Sequence, residues 1–374
     1  MTDDRPAPTG GTPRTVLMCP GQGAYLPGAL RHLSGVPSVS RVLGTVDAHG
    51  TALGSTRTPV GRLLTDSAAP DPDLLLRTDP LAFDLATYAA VVASAAVLLD
   101  LATPPVHAVL GHSVGDLAAL TVAGVITIEQ GVRLLHVRDR LLRDAALPAA
   151  GLLATDLSAE PAADLLRAEG LPQVRIAARN APGQTVLAGP DDQLAAVRSA
   201  ARALGRRATP LTSRTAYHHP LLAEVQRAFR RLLRAQPVAP PTLPVYTAAA
   251  PGPARTPAQL RTVAAAHLSE PLAFHRTLCA LRLAGFTTYL DSGPRALLST
   301  LARAGLPGCI TAAPSRTPAG LDRIRLRLTA ACGDAAGSGP AHMAYGGRRR
   351  HHGLVTRQAE GIKNVPQGAG RQPR

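Results

Sequence analysis

Tryptophan is absent from this 374-residue chain, aromatic residues make up 3% of it, and cysteine occurs four times. The scarcity of aromatics removes the stacking platforms that single-stranded nucleic acids need, so nucleic acid is not an expected partner. Cys19, Cys279, Cys309 and Cys332 stand apart, with neither CxxC pairs nor histidines at metal-ligand spacing. Neither a disulfide framework nor a metal site is indicated. The opening MTDDRPAPTGGTPR is polar and rich in Pro and Gly, lacking the basic start and apolar run of a signal peptide. The most apolar stretch, residues 88–101, reads as a buried helix too short for a membrane span, so a cytoplasmic location without a membrane partner is expected. Lysine is nearly missing: all but one of the 40 basic residues are arginine, against 25 acids. That imbalance looks like coding bias more than a selected surface, and much of the excess falls after Gly346. A moderately basic body would still attract acidic partners by long-range steering.

What is present is a 45% hydrophobic chain, enough for a sizeable core with a smaller subdomain. The run TVLM meets a Pro-Gly-Gln-Gly turn, the pattern of a buried strand delivering a loop to a sheet edge. Helical spacing over residues 81–101 ends at Pro104-Pro105, and a strand over 106–110 follows. Helices are expected over 116–125 and 128–142, the second carrying Arg138. Between residues 148 and 211 the order is strand, helix, strand, turn, strand, helix, strand, which has the makings of a ferredoxin-like subdomain. Helices over 221–235, 260–268, 273–284 and 297–304 then alternate with the strand-like runs LPVYTAA, TTYLDSG and CITAA. The fold class expected is α/β. It comprises a large α/β-hydrolase-like body with a parallel sheet (14–147 and 212–314) and an inserted small ferredoxin-like subdomain (148–211). A disordered N-terminal tail (1–13) and a basic, largely disordered C-terminal tail (315–374) complete the organisation.

Gly111-His112-Ser113-Val114-Gly115 has the form G-x-S-x-G between an expected strand and an expected helix, where a serine sits on a sharp turn. The helix N-terminus behind it offers N–H groups and dipole to a developing oxyanion. A serine nucleophile needs a base, and histidine suits that work near neutral pH. His218 and His219, between Ala216-Tyr217 and the helix-starting Pro220-Leu221-Leu222, stand out among the twelve histidines. By pattern alone either can serve.

PGQG at residues 20–23, GHSVGD at 111–116, Arg138, RNAPGQTVLAG at 179–189, AYHHPLL at 216–222 and DSGPRALL at 291–298 occur in one order. Together they resemble the malonyl-CoA:acyl carrier protein transacylases and the acyltransferase domains of polyketide synthases, over roughly residues 14–312. The resemblance implies a Ser–His dyad, with Ser113 the nucleophile and His218 the base, oriented by a backbone carbonyl near Ala273. It implies oxyanion donors at the backbone N–H groups of Gln22 and Val114, and substrate-binding roles for Arg138, Tyr217 and Asn180. Arg138 would take the free carboxylate of a malonyl-type group, a task suited to a guanidinium fork. Thr215-Ala216-Tyr217-His218 occupies the family's selectivity position, and the aromatic at its third place resembles the malonyl type. A methyl branch is worth only ~1–3 kcal/mol of discrimination there. Cys19 replaces a usual Phe, Ala24-Tyr25 a Ser-Gln, Asp116 a Glu, and Ala82 falls where a Gln often lines the pocket.

The function so implied is transfer of malonyl, or a related acyl group, from coenzyme A to the phosphopantetheine thiol of an acidic acyl carrier protein, by a ping-pong mechanism in polyketide or fatty-acid biosynthesis. A monomer is expected, with no bound cofactor. The alternatives are transfer of an unusual acyl group between carrier proteins, or an editing hydrolase using the same dyad. Retention of Arg138 favours a diacid acyl group held for transfer, and the chain has no Asp-Gly pair of the kind a patatin-type lipase needs.

Overall fold

In the computed structural model, residues 14–54, 57–101 and 105–314 are described. The two expected tails, with Cys332 and the arginine-rich run after Gly346, lie outside them. Six strands form the larger sheet, in the order Ile310–Ala312, Phe286–Asp291, Arg14–Cys19, Val106–Gly111, Val245–Thr247 and Pro253–Ala254. The first five run parallel and only the last pair is antiparallel. Continuous apolar runs such as VLMC and VLG suit strands buried on both faces.

Against this sheet lies the helix Pro80–Leu101, in which every residue from Leu81 to Leu98 is buried. A helix apolar all round belongs inside. It matches the helical spacing expected over residues 81–101, and at 22 residues it is long and apolar enough to cross a membrane by composition, yet its most apolar window is wholly buried in the protein. The apolar stretch 88–101, expected as a buried helix, lies within this one and is buried as far as Leu98. A Thr127–Gln130 capping box starts the neighbouring helix Ile128–Asp144. The two helices approach closely at Gly131, where a Cβ would lie 2.2 Å from the Tyr88 hydroxyl. Asp84 stands one turn before Tyr88 and Arg138 two turns after Gly131, so this contact brings the acid and the arginine together. Three helices, Pro37–Ala52, Val60–Thr65 and Pro72–Thr78, were not anticipated, and the first packs Val39, Val42, Leu43 and Val46 into the same core.

The second sheet is antiparallel, in the order Arg175–Ala181, Gln184–Pro190, Ala150–Thr155 and Ala208–Leu211, with helices Ala159–Ala168 and Asp191–Ala203 in its connections. This is the ferredoxin-like order. Its own small core gathers Leu153, Leu165, Leu187, Leu194 and Val197. The segment around Leu272 joins both sheets: Leu272 N–H donates to Ala177 O (2.8 Å), Arg179 N–H to Leu272 O (2.9 Å) and Ala273 N–H to Ala248 O (2.7 Å).

At the carboxyl end of Val106–Gly111 the chain turns so tightly that a Cβ on Gly115 would lie 2.1 Å from the Cys19 carbonyl oxygen and 2.6 Å from that of Pro20. Both obstacles are backbone and cannot rotate away. Gly115→Ala is expected to cost about 3 kcal/mol, as overpacking of a rigid site does, and to displace the turn. A denaturant titration of the variant against wild type measures it.

Candidate active site

Strands Arg14–Cys19 and Val106–Gly111 are paired neighbours, and their carboxyl ends deliver Gln22 and Ser113 to one edge of the sheet. In open α/β sheets that edge is where ligands bind. His112 N–H donates to Cys19 O at 3.0 Å, tying the two loops together. Ser113 has φ 59° and His218 φ 60°, both left-handed and neither glycine. Such strain costs of order 1–3 kcal/mol per residue and concentrates at functional sites.

Ser113 Oγ donates to His218 Nε2 across 2.8 Å, and His218 Nδ1 lies 2.8 Å from the backbone carbonyl of Glu270. A carbonyl only accepts, so Nδ1 carries the proton and Nε2 is left as the acceptor for the serine. The orienting carbonyl is therefore Glu270's, not one near Ala273 as the sequence suggested. The physical reason is plain: Ala273 O is engaged by Thr277 N–H (3.0 Å) at the start of helix Phe274–Leu283, and Leu272 O is spent on Arg179. His219 points elsewhere, its Nε2 on Gln173 O (2.8 Å) and its Nδ1 accepting from Leu221 N–H (3.1 Å), and it caps the turn Pro220–Leu222.

Burial pushes the His218 imidazole down to about 4, the Glu270 carbonyl partly opposing this and nearby His112 adding to it. The ring is thus neutral, and able to accept a proton, throughout the neutral range. The expected pH profile of kcat/KM for Ser113 acylation is flat through neutrality and falls as pH drops through about 4, where Nε2 becomes protonated. Rapid-quench acylation rates between pH 3.5 and 7.5, within the range where the fold persists, test this.

Gln22 opens the 3-10 turn Gln22–Ala24 and Val114 caps the helix Gly115–Val122. The first N–H groups of a helix have no intrahelical partner, so both stand ready as donors beside Ser113. Asn180 is buried and its Oδ1 accepts from His112 Nε2 (2.9 Å), while its Nδ2 donates to Gln184 Oε1 (3.2 Å). It therefore fixes the residue that precedes the serine, and its direct contact is with His112 rather than with the arginine cluster. That link was not read from the sequence.

Arg138 and Tyr217 meet in the interior, with Arg138 Nη2 donating to the Tyr217 hydroxyl at 3.3 Å and the guanidinium carbon 5.3 Å from the ring centroid. Tyr217 precedes His218, so this pair adjoins the dyad. A residue that sequence reasoning missed completes the cluster: Asp84 Oδ2 accepts from Arg138 Nη2 at 2.5 Å, both side chains being at most 1% exposed. Gln22 Nε2 donates to Asp84 Oδ1 at 3.3 Å, which closes a chain of contacts from the PGQG loop to the dyad. Burial alone would lower the Arg138 pKa, and Asp84, with Tyr217 and Asp139 adding to it, more than reverses that. The signal for Asp84 was available as an acid in the apolar first half of a helix whose other acid, Asp100, stands exposed near its end.

Fold and site together define an α/β protein with a hydrogen-bonded serine–histidine pair on a strand-to-helix turn. The family model described as "Acyl transferase domain" matches residues 82–316. This chain belongs to that family and is an acyltransferase. Similar curated proteins include polyketide synthase GfsA of Streptomyces halstedii, 30% identical over 63% of this chain and 3% of that protein. Spectinabilin polyketide synthase system protein NorB of Streptomyces orinoci is 29% identical over 85% of this chain and 14% of that protein. The chain thus spans only a small part of these relatives. Among solved structures, a malonyl-transacylase in complex with a type II polyketide synthase acyl carrier protein (PlMCAT:AntF) superposes with TM-score 0.73 at 24% identity, covering 86% of this chain and 99% of that one. The acyltransferase domain from the second module of the salinomycin polyketide synthase gives 0.70 at 24%, covering 86% and 73%. These likenesses show the shared two-subdomain fold.

Proposed function

We propose that this chain moves a small acyl unit, malonyl or a close relative in size, from coenzyme A to the phosphopantetheine thiol of an acyl carrier protein, through an ester on Ser113. The observation that carries the reading is the chain of contacts from Ser113 through His218 to the Glu270 carbonyl, with the Gln22 and Val114 N–H groups having no hydrogen-bond partner among the described residues. In the first half-reaction His218 Nε2 takes the serine proton as Oγ attacks the thioester carbonyl, and the N–H groups of Gln22 and Val114 hold the oxyanion. The C–S bond breaks and His218 returns the proton to the departing thiolate. In the second, the carrier thiol gives its proton to His218 and attacks the ester, and Ser113 is regenerated.

Support for a carrier-protein partner comes from the family membership and from the solved neighbour, which is itself bound to an acyl carrier protein. The excess of arginine favours an acidic one. Tyr217, buried beside Arg138, limits the room for a branched unit. Polyketide biosynthesis is the setting that the relatives favour, and a cytoplasmic location is part of this proposal. Initial rates measured while both the thioester and the carrier protein are varied are expected to give parallel double-reciprocal lines. Intersecting lines would mean direct transfer without an acyl-enzyme and would overturn the reading.

A further inference from the structure

The buried pair Asp84–Arg138 changes what the acyl pocket can recognise. A guanidinium presents a carboxylate with two forked edges, Nε with Nη2 and Nη1 with Nη2, and both need Nη2. Here Nη2 is already committed to Asp84 Oδ2 (2.5 Å) and the Tyr217 hydroxyl (3.3 Å). Arg138 Nε and Nη1 have no hydrogen-bond partner among the described residues although they are buried. These two donors do not make a fork with each other. A second carboxylate would therefore gain at most single contacts, and would add a negative charge beside Asp84, whose own charge Arg138 already balances. A neutral oxygen, as in a ketone, hydroxyl or amide, satisfies either donor without that charge. Asp84 is itself anchored, by Gln22 Nε2 on its other oxygen.

From this geometry we infer that Asp84 is a specificity-determining residue that turns the Arg138 pocket away from free carboxylates and towards acyl groups bearing a neutral oxygen acceptor near the β-carbon. The inference rests on the acyl-transfer reading and narrows it: of malonyl and its relatives in size, the neutral relatives are the better substrates. Asp84 acts by occupying Arg138, so its effect falls on the choice of acyl group while the chemistry at Ser113 is common to both.

Acetoacetyl-CoA and malonyl-CoA make a matched pair of probes, nearly equal in size and differing in a methyl group against a charged oxygen. Rates of ester formation on Ser113, followed by intact mass, are expected to favour acetoacetyl about tenfold or more in the wild-type protein, as like-charge juxtaposition disfavours the other. Asp84→Asn, which keeps the shape and removes the charge, is expected to shift the acetoacetyl-to-malonyl ratio towards malonyl by about tenfold or more. The wild-type ratio needs no variant, so the inference stays testable if Asp84→Asn folds poorly. Faster malonyl loading in wild type, or a ratio unchanged in folded Asp84→Asn, overturns it while leaving the acyl-transfer reading intact. No ester from either thioester would sink that reading, and the inference with it.

Discussion

Ser113→Ala is expected to abolish the acyl-enzyme and lower transfer by about 10⁴–10⁶-fold, the loss typical when the nucleophile of a serine–histidine unit is removed. The substitution deletes one oxygen from a turn whose shape is set by backbone contacts, His112 N–H on Cys19 O and Gly115 N–H on His112 O. Stability should therefore change little. The left-handed conformation at residue 113 is kept by alanine, so its strain is not relieved by the substitution. Intact mass after exposure to thioester, together with thermal melting, separates the two effects. A variant that melts like wild type and still acquires an ester would move the nucleophile elsewhere.

Arg138→Ala is expected to be the most destabilising change at the site, by about 3–5 kcal/mol, because it leaves Asp84 buried without its cation. The cost belongs to the abandoned acid more than to the worth of the pair. The double variant Arg138→Met with Asp84→Leu should accordingly recover most of the loss, since well-packed apolar replacements of a buried pair are often neutral or better. Urea midpoints of the single and double variants give the comparison. If the double variant is no more stable than Arg138→Ala, the pair contributes through its bonds to Tyr217 and Gln22 instead.

Much of this was legible in the sequence because the elements around the site carry strong local signals. The apolar run before PGQG, the glycines of GHSVGD and the turn chemistry of residues 148–211 each dictate backbone shape within a few residues. The helix Pro37–Ala52 was missed although its apolar spacing is regular, because Gly44, Gly50 and β-branched residues interrupt its helix propensity. Val60–Thr65 and Pro72–Thr78 are six and seven residues long, too short for a period to declare itself. Pro253–Ala254 is a two-residue strand that exists only through its partner.

At the site, Ser113, His218 and their pairing follow from the family resemblance, as does Arg138, whereas the partners of His218 Nδ1 and of Arg138 do not. Glu270 was passed over because a backbone carbonyl has no sequence signature; the carbonyls of Leu272 and Ala273, nearer the expected place, are spent on Arg179 and Thr277. Asp84 lies 54 residues from Arg138, and nothing local to either one announces the contact. It arises from the close helix crossing at Gly131 and Tyr88, a tertiary fact. Reading Arg138 as a free fork for a carboxylate was therefore reasonable from one chain position and incomplete in three dimensions.

The most direct test of the central claim is a pulse and chase. The protein is exposed briefly to an acyl-CoA, freed of excess thioester, digested and mapped, while a parallel sample receives a holo carrier protein. The account predicts one ester, on the peptide containing Ser113, that disappears as the same acyl mass arrives on the carrier's phosphopantetheine. An ester elsewhere, or one on Ser113 that is lost only to water as free acid while the carrier stays unloaded, would contradict it.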